Sequence, residues 1–169
     1  MIEMLVVLSI ILILAGLLVR VATFATLRSQ QNRARAELQM IANGLEEYRA
    51  MFGNYPVSDV LHAHTTDIAT NKISAAWVQA LWQRPQIELN RPPFIRIPQL
   101  TGMDPDDYDG QPFLDPWGND YMYYRSAAAP YTRYNNPGSR FAYDLWSYGH
   151  GVPSISDTSQ WITNWRNDF

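Results

Sequence analysis

Glu3 stands in the stretch MIEMLVVLSI, a single carboxylate among apolar side chains. An ionisable group in such a run is expensive to hold in hydrocarbon and marks a functional position with a partner to be found. The chemistry it offers is one negative charge and two strong acceptor oxygens, suited to a cation brought by another molecule. A second group of carboxylates, Asp104, Asp106, Asp107 and Asp109 in MDPDDYDGQP, offers hard oxygen donors. Its spacing lacks the alternating carboxylates, glycine and distal glutamate of an EF-hand loop, so it reads as a solvated acidic loop. His62 and His64 have no third ligand nearby and the chain has no cysteine, which makes a poor zinc set. In DPWGN, Asp115 can accept from its own turn, Pro116 pre-sets φ, and Gly118 or Asn119 can take positive φ, which reads as a structural turn. No Gly-rich phosphate loop, serine nucleophile elbow or HExxH pair occurs, so nothing supports an enzyme.

The elements that must position these groups begin with an apolar segment. From Met4 to Val19 only Ser9 is neither strongly apolar nor small, and Arg20 is the first cation. That length approaches the ~20 residues of a transmembrane helix. A cleaved secretory signal would carry a basic start and a small-residue cleavage site, so the segment reads as retained. The chain is 169 residues long and 47% hydrophobic, 13% aromatic, enough for one packed core. A net charge of −3 with a single lysine gives no electrostatic footprint for nucleic acid. Zero cysteines exclude disulfides, thiolate metal sites and c-type haem.

Beyond Arg20 the pattern becomes one-sided. Ala34, Leu38, Ile41, Leu45, Tyr48 and Phe52 form a stripe, while Arg35, Glu37, Gln39, Asn43, Glu46, Glu47 and Arg49 occupy the rest. With no proline before Pro56, one helix is predicted from about residue 2 to 52, roughly 75 Å long. Gly53-Asn54 supplies its left-handed cap. The stripe predicts a head packed on the distal half, with subunit contacts left to charges such as Arg33, Arg35, Glu46 and Glu47. Residues 57–112 contain a partial helical window at Ser74–Trp82 and then Pro85, Pro92, Pro93, Pro98 and Pro105, which read as an extended connection. From Phe113, FLDPWGNDYMYY, RFAYDLWSYG and WITNW predict three short sequential strands. The expected fold is α+β, with a small antiparallel sheet covering the helix stripe. The expected divisions are 1–24, an apolar helix; 25–53, an amphipathic helix; 54–112, a variable Pro-rich connection; and 113–169, the sheet and C-terminal loop.

The motifs IEMLVVLSIILILAGLL, YRAMFGNYP, LDPWGNDY, YDLWSYG and ITNW together resemble the type IV filament superfamily, and within it most closely the major pseudopilins of type II secretion systems. The likeness spans the first ~55 and last ~60 residues and leaves the middle uncovered. It implies an inner-membrane subunit, processed by a prepilin peptidase with methylation of the new end. The assembly platform, with minor pseudopilins, would lift it from membrane lipid into a helical homopolymer whose core is the bundled N-terminal helices. Glu3 matches the family glutamate held to neutralise a neighbour's terminal amine. Two departures stand out: the family glutamate is usually the fifth mature residue, and many relatives have a helix-breaking proline where this chain has Arg20. The helix is therefore expected to kink less, with Gly16 as the point where it can loosen.

The resemblance also implies a calcium loop over LWSYGHGVPSISDTSQWITNW, whose matching donors are the Leu145 carbonyl, the Ser147 hydroxyl and Asp157. Relatives bring several aspartates there and this chain does not. Weak calcium binding stands against a loop held by backbone bonds and by Trp161 and Trp165. Two further functions stay open: a pilin of a long surface filament for adhesion, motility or DNA uptake, and a single-pass envelope enzyme or binding module.

Overall fold

A run of helix-compatible residues closed by a glycine dominates the chain. In the computed structural model, which describes residues 2–56, 77–111, 113–125, 142–150 and 159–166, helix α1 runs unbroken over Ile2–Phe52. Its 51 residues span about 77 Å at ~1.5 Å each. Gly53 ends it at φ +76°, its N–H donating to the Arg49 carbonyl at 2.8 Å. Met1, His62, His64, Asp157 and the start of the Ser74–Trp82 window lie outside the described residues.

The second half of α1 buries one stripe. Leu38, Ile41 and Leu45 are fully buried beside Ala34 and Ala42, each large side chain contributing ~1.5–3 kcal/mol of transfer free energy. The stripe thins toward its end: Tyr48 is half-buried, and Phe52 is 47% exposed although its ring leans on Tyr48 at 4.5 Å. Glu37 departs from the solvent face expected of it. Its side chain is 12% exposed because the head reaches it across the helix.

The Pro-rich region 54–112 is more than a connection. Within its described part, Trp77 and Val78 lead into a π-helical turn, Gln79–Gln83, and then α2, Arg84–Glu88. Pro85 is the second residue of α2, directly after the π-helical turn, so its missing N–H removes one backbone donor from a helical run that is continuous over 77–88. Single-turn 3-10 helices follow at Pro98–Leu100 and Pro105–Asp107. Trp77, Leu81, Phe94, Ile95, Ile97 and Leu100 all enter the main core. Backbone bonds such as Phe94 N–H to the Leu81 carbonyl, 2.9 Å, fold the segment on itself. Gly44 permits the closest contact with α1: a Cβ there would stand 2.2 Å from Ile95 Cγ2 and 3.3 Å from the Phe94 carbonyl oxygen.

Three strands close the head: β1 (Met122–Tyr124), β2 (Asp144–Ser147) and β3 (Ile162–Thr163), antiparallel in the order β1-β2-β3. Tyr123 pairs with Leu145, and Trp146 pairs with Thr163. The period-two alternation sends Tyr123, Leu145 and Ile162 into the core shared with α1. On the other face Trp146, Tyr148 and Trp161 form a separate buried cluster with Trp165 against it. Trp146 and Trp161 stack at 5.5 Å with planes 9° apart. The observed layout is α+β: a long N-terminal helix carrying a small three-stranded antiparallel sheet.

Candidate functional site

Among the described residues, the first half of α1 carries a long apolar surface that nothing covers. Its described large apolar side chains between Ile2 and Phe24 are between 51% (Ile10) and 78% (Met4) exposed. The hydroxyls within it are satisfied locally: Ser9 donates to the Val6 carbonyl at 2.7 Å and Thr26 to the Ala22 carbonyl at 2.9 Å. Helical bonds satisfy the backbone polar groups except at the first turn, which makes this surface compatible with lipid or with other helices. The helix is long and apolar enough to cross a membrane.

Glu3 lies in the first turn, at the positive end of the helix dipole. Among the described residues no cation stands within ion-pair distance of it. The nearest cation along the helix, Arg20, is about 26 Å away along the axis. Any countercharge for Glu3 in an apolar setting must come from elsewhere than the described part of its own chain.

The distal charges behave differently. Glu37 accepts from Arg33 Nε at 2.9 Å and from the Tyr121 hydroxyl at 2.5 Å. Burial, and then the Glu37 carboxylate, push the Tyr121 phenol well above its ordinary range. Glu46 accepts from the Tyr55 hydroxyl at 2.7 Å, and Glu47 pairs with Arg91 at 2.8 Å. Of Arg33, Arg35, Glu46 and Glu47, expected to serve contacts between subunits, only Arg35 forms no such tie among the described residues. Glu46 and Glu47 fasten the head to its own helix, while Arg33 pairs within α1.

DPWGN and β2 meet in one polar node. The Gly118 N–H donates to the Asp115 carbonyl at 3.0 Å, with Pro116 inside the turn and Gly118 at φ +87°. One Asp115 carboxylate oxygen accepts from the N–H groups of Trp117 and Asn119, at 3.0 and 2.8 Å. The other accepts the Ser147 hydroxyl at 2.6 Å, and that hydroxyl accepts the Gly149 N–H at 3.0 Å. Burial pushes the Asp115 carboxyl up, with these hydrogen bonds pulling the other way. Nothing in the spacing of Asp115 and Ser147 foretold their meeting; both had polar groups to satisfy, and the fold satisfied each with the other.

The same node bears on calcium. The Leu145 carbonyl accepts the Asn164 N–H at 3.1 Å, and Ser147 is engaged on both its donor and acceptor sides. Calcium requires six to eight oxygen ligands, commonly with several carboxylates. Leu145 and Ser147 are engaged in protein hydrogen bonds, and Asp157 lies outside the described residues. Among the described residues no group of three or more His, Asp or Glu side chains gathers to hold a metal. The acidic run caps a turn instead: Asp104 accepts the Asp106 N–H at 3.1 Å.

Compared with protein-family models and with curated proteins, the chain matches none.

Proposed function

We propose that this chain is a structural subunit that polymerises through the first half of α1 into a helical filament of the type IV kind, as a major pseudopilin of a type II secretion system. The observation that carries the reading is α1 itself, continuous over Ile2–Phe52, apolar and exposed all round in its first half and packed on the head in its second. A span alone would need only ~20 residues. A rigid shaft that continues into the head, without a linker, transmits force between the two.

The subunit waits in the bacterial inner membrane with lipid around residues 2–24, then exchanges lipid for neighbouring shafts as the assembly platform extracts it. Heads tile the outside of the rod, and growth of the rod does the mechanical work. Glu3 is the group that requires a neighbour, because an anion in an apolar bundle is tolerated only with its countercharge. A buried ionic pair of this sort sets register between helices more than it adds stability. The motifs LDPWGNDY, YDLWSYG and ITNW favour the secretion rod over a long surface filament.

Glu3→Ala tests it. The expected variant inserts in membranes at the normal level but yields few or no filaments by electron microscopy. Filaments at normal yield would remove Glu3 from assembly.

A further inference from the structure

Between its apolar half and the head, α1 is bare: from Val21 to Arg33 no side chain is buried, and Ala34 is the first that is. Charge on this neck has one sign. Residues 4–36 hold Arg20, Arg28, Arg33 and Arg35 and no carboxylate, whereas every carboxylate except Glu3 lies from Glu37 onward. Arg33 is engaged with Glu37 at 2.9 Å, but Arg28 and Arg35 are exposed and form no ion pair among the described residues. Seven residues apart, these two share one face of the helix, within about 20° of each other and about 10 Å apart along the axis. We infer that the Arg28–Arg35 face of the neck docks the head of a second copy, through that copy's exposed Asp106 and Asp107. The inference rests on the filament reading and says how a head engages a neighbouring shaft.

The place of these carboxylates in the subunit makes the contact one between copies. Asp106 and Asp107 are exposed and form no ion pair among the described residues. They belong to the 77–111 segment, tied to it where the Pro105 carbonyl accepts from Gln83 Nε2 at 2.8 Å and where the Tyr108 ring lies 5.6 Å from that of Trp82. That segment packs on the Gly44 side of α1, against Ile95 and close to the Glu47–Arg91 pair at 2.8 Å. Gly44 follows Arg35 by nine residues, about two and a half turns, so Arg35 faces the opposite side of α1 and Arg28 lies near it. The segment that bears the aspartates therefore lies across the helix from the cations of its own neck.

A copy placed alongside presents to that neck what the subunit cannot present to itself. The contact joins unlike surfaces, a cationic helix face and an acidic loop, so each copy keeps one of the two for a third. Such a heterologous contact does not close into a dimer and propagates as an open helix. An anionic membrane surface fits the same face less well. Arg35 stands fifteen residues, about 22 Å, beyond Arg20 at the end of the apolar half, whereas the headgroup layer of a bilayer is only about 5–8 Å deep on each side.

Charge reversal on the full chain in membranes tests the pairing, read as filament yield by electron microscopy with membrane insertion and head melting measured alongside. Arg28→Glu with Arg35→Glu, and separately Asp106→Arg with Asp107→Arg, set like charges against each other across the contact. Each pair is expected to lower filament yield at least tenfold with insertion and melting unchanged. All four exchanges in one chain are expected to return yield to within about threefold of the parent. Normal yield from either pair, or a combined variant as defective as the pairs, overturns the pairing. Because the chain has no cysteine, a second measurement uses Arg35→Cys with Asp107→Cys. Oxidation of assembled material is expected to give a ladder of covalent multimers that neither single variant gives. Filaments without that ladder overturn the pairing while leaving the filament reading intact. Weakened binding of the Arg28→Glu, Arg35→Glu chain to phosphatidylglycerol vesicles, with filament yield normal, assigns the face to lipid and overturns it too. A parent chain that forms no filaments overturns the filament reading itself.

Discussion

The two halves of α1 share one backbone and one ladder of hydrogen bonds, but they resolve their apolar surface in opposite ways. The distal half concentrates it in Leu38, Ile41 and Leu45 and covers it with the head. The proximal half spreads Leu, Ile and Val around the whole circumference and covers none of it. Polar chemistry divides the same way. Glu37, Glu46 and Glu47 each have a partner within the subunit, from Tyr121, Tyr55 and Arg91, whereas Glu3 and Arg20 form no ion pair among the described residues. The comparison teaches that, among the described residues, the second half of α1 finds its cover within the subunit and the first half does not.

Substitutions matched between the halves put the contrast at risk. The largest effect is expected at Leu38: Leu38→Ala removes fully buried volume and should lower head stability by ~2–5 kcal/mol, read as the melting of the detergent-solubilised chain. Leu12→Ala, 65% exposed, should leave that melting unchanged. A Leu12 effect as large as that at Leu38 would mean that the shaft also folds against the head.

Two glycines give the next test. Gly44→Ala drives a Cβ into Ile95 and should cost ~1–3 kcal/mol in the same melt. Gly16→Ala meets nothing within 4 Å and should instead stiffen the shaft, raising helix stability by up to ~1 kcal/mol. A silent Gly44→Ala would show that the 94–95 segment is not pressed on α1.

Tyr121 joins the halves of the head. Tyr121→Phe removes the hydroxyl from Glu37 and should cost about 1.5 kcal/mol. Burial, aided at Tyr121 by Glu37, raises the phenol pKa of Tyr121, Tyr123 and Tyr143 in the folded head. The folded head then holds protons that the unfolded chain releases, so its stability is full below the ordinary tyrosine value of ~10 and falls as pH climbs above it. An alkaline titration of the melting temperature should show that loss. The smallest effect is expected from calcium chelation, with no shift in melting temperature. A fall on chelation would show that residues 151–158 complete a site that Leu145 and Ser147 alone do not.

How far these features could be read from residue order follows from where their causes lie. Both ends of α1 were legible, because a period of three and four and a Gly-Asn-x-Pro stop are local causes. The three strands were legible from aromatic runs between turns. Of the segment 77–111 only the helical window ending at Trp82 was legible: Phe94, Ile95 and Ile97 enter the core without any period, since Gly44 and the Leu81 carbonyl, distant in sequence, set their direction. Glu37 looked like solvent-face charge for the same reason, its partner Tyr121 lying 84 residues away. Glu3 was conspicuous as a lone carboxylate in apolar surroundings, but the described residues offer it no countercharge.

Cryo-electron microscopy of assembled full-length chain measures directly what completes the shaft. The expected result is a helical rod with residues 2–24 bundled on its axis and the heads outside. Monomers that persist in micelles under assembling conditions, or rods built from head-to-head contacts with the apolar halves excluded from the axis, would contradict it.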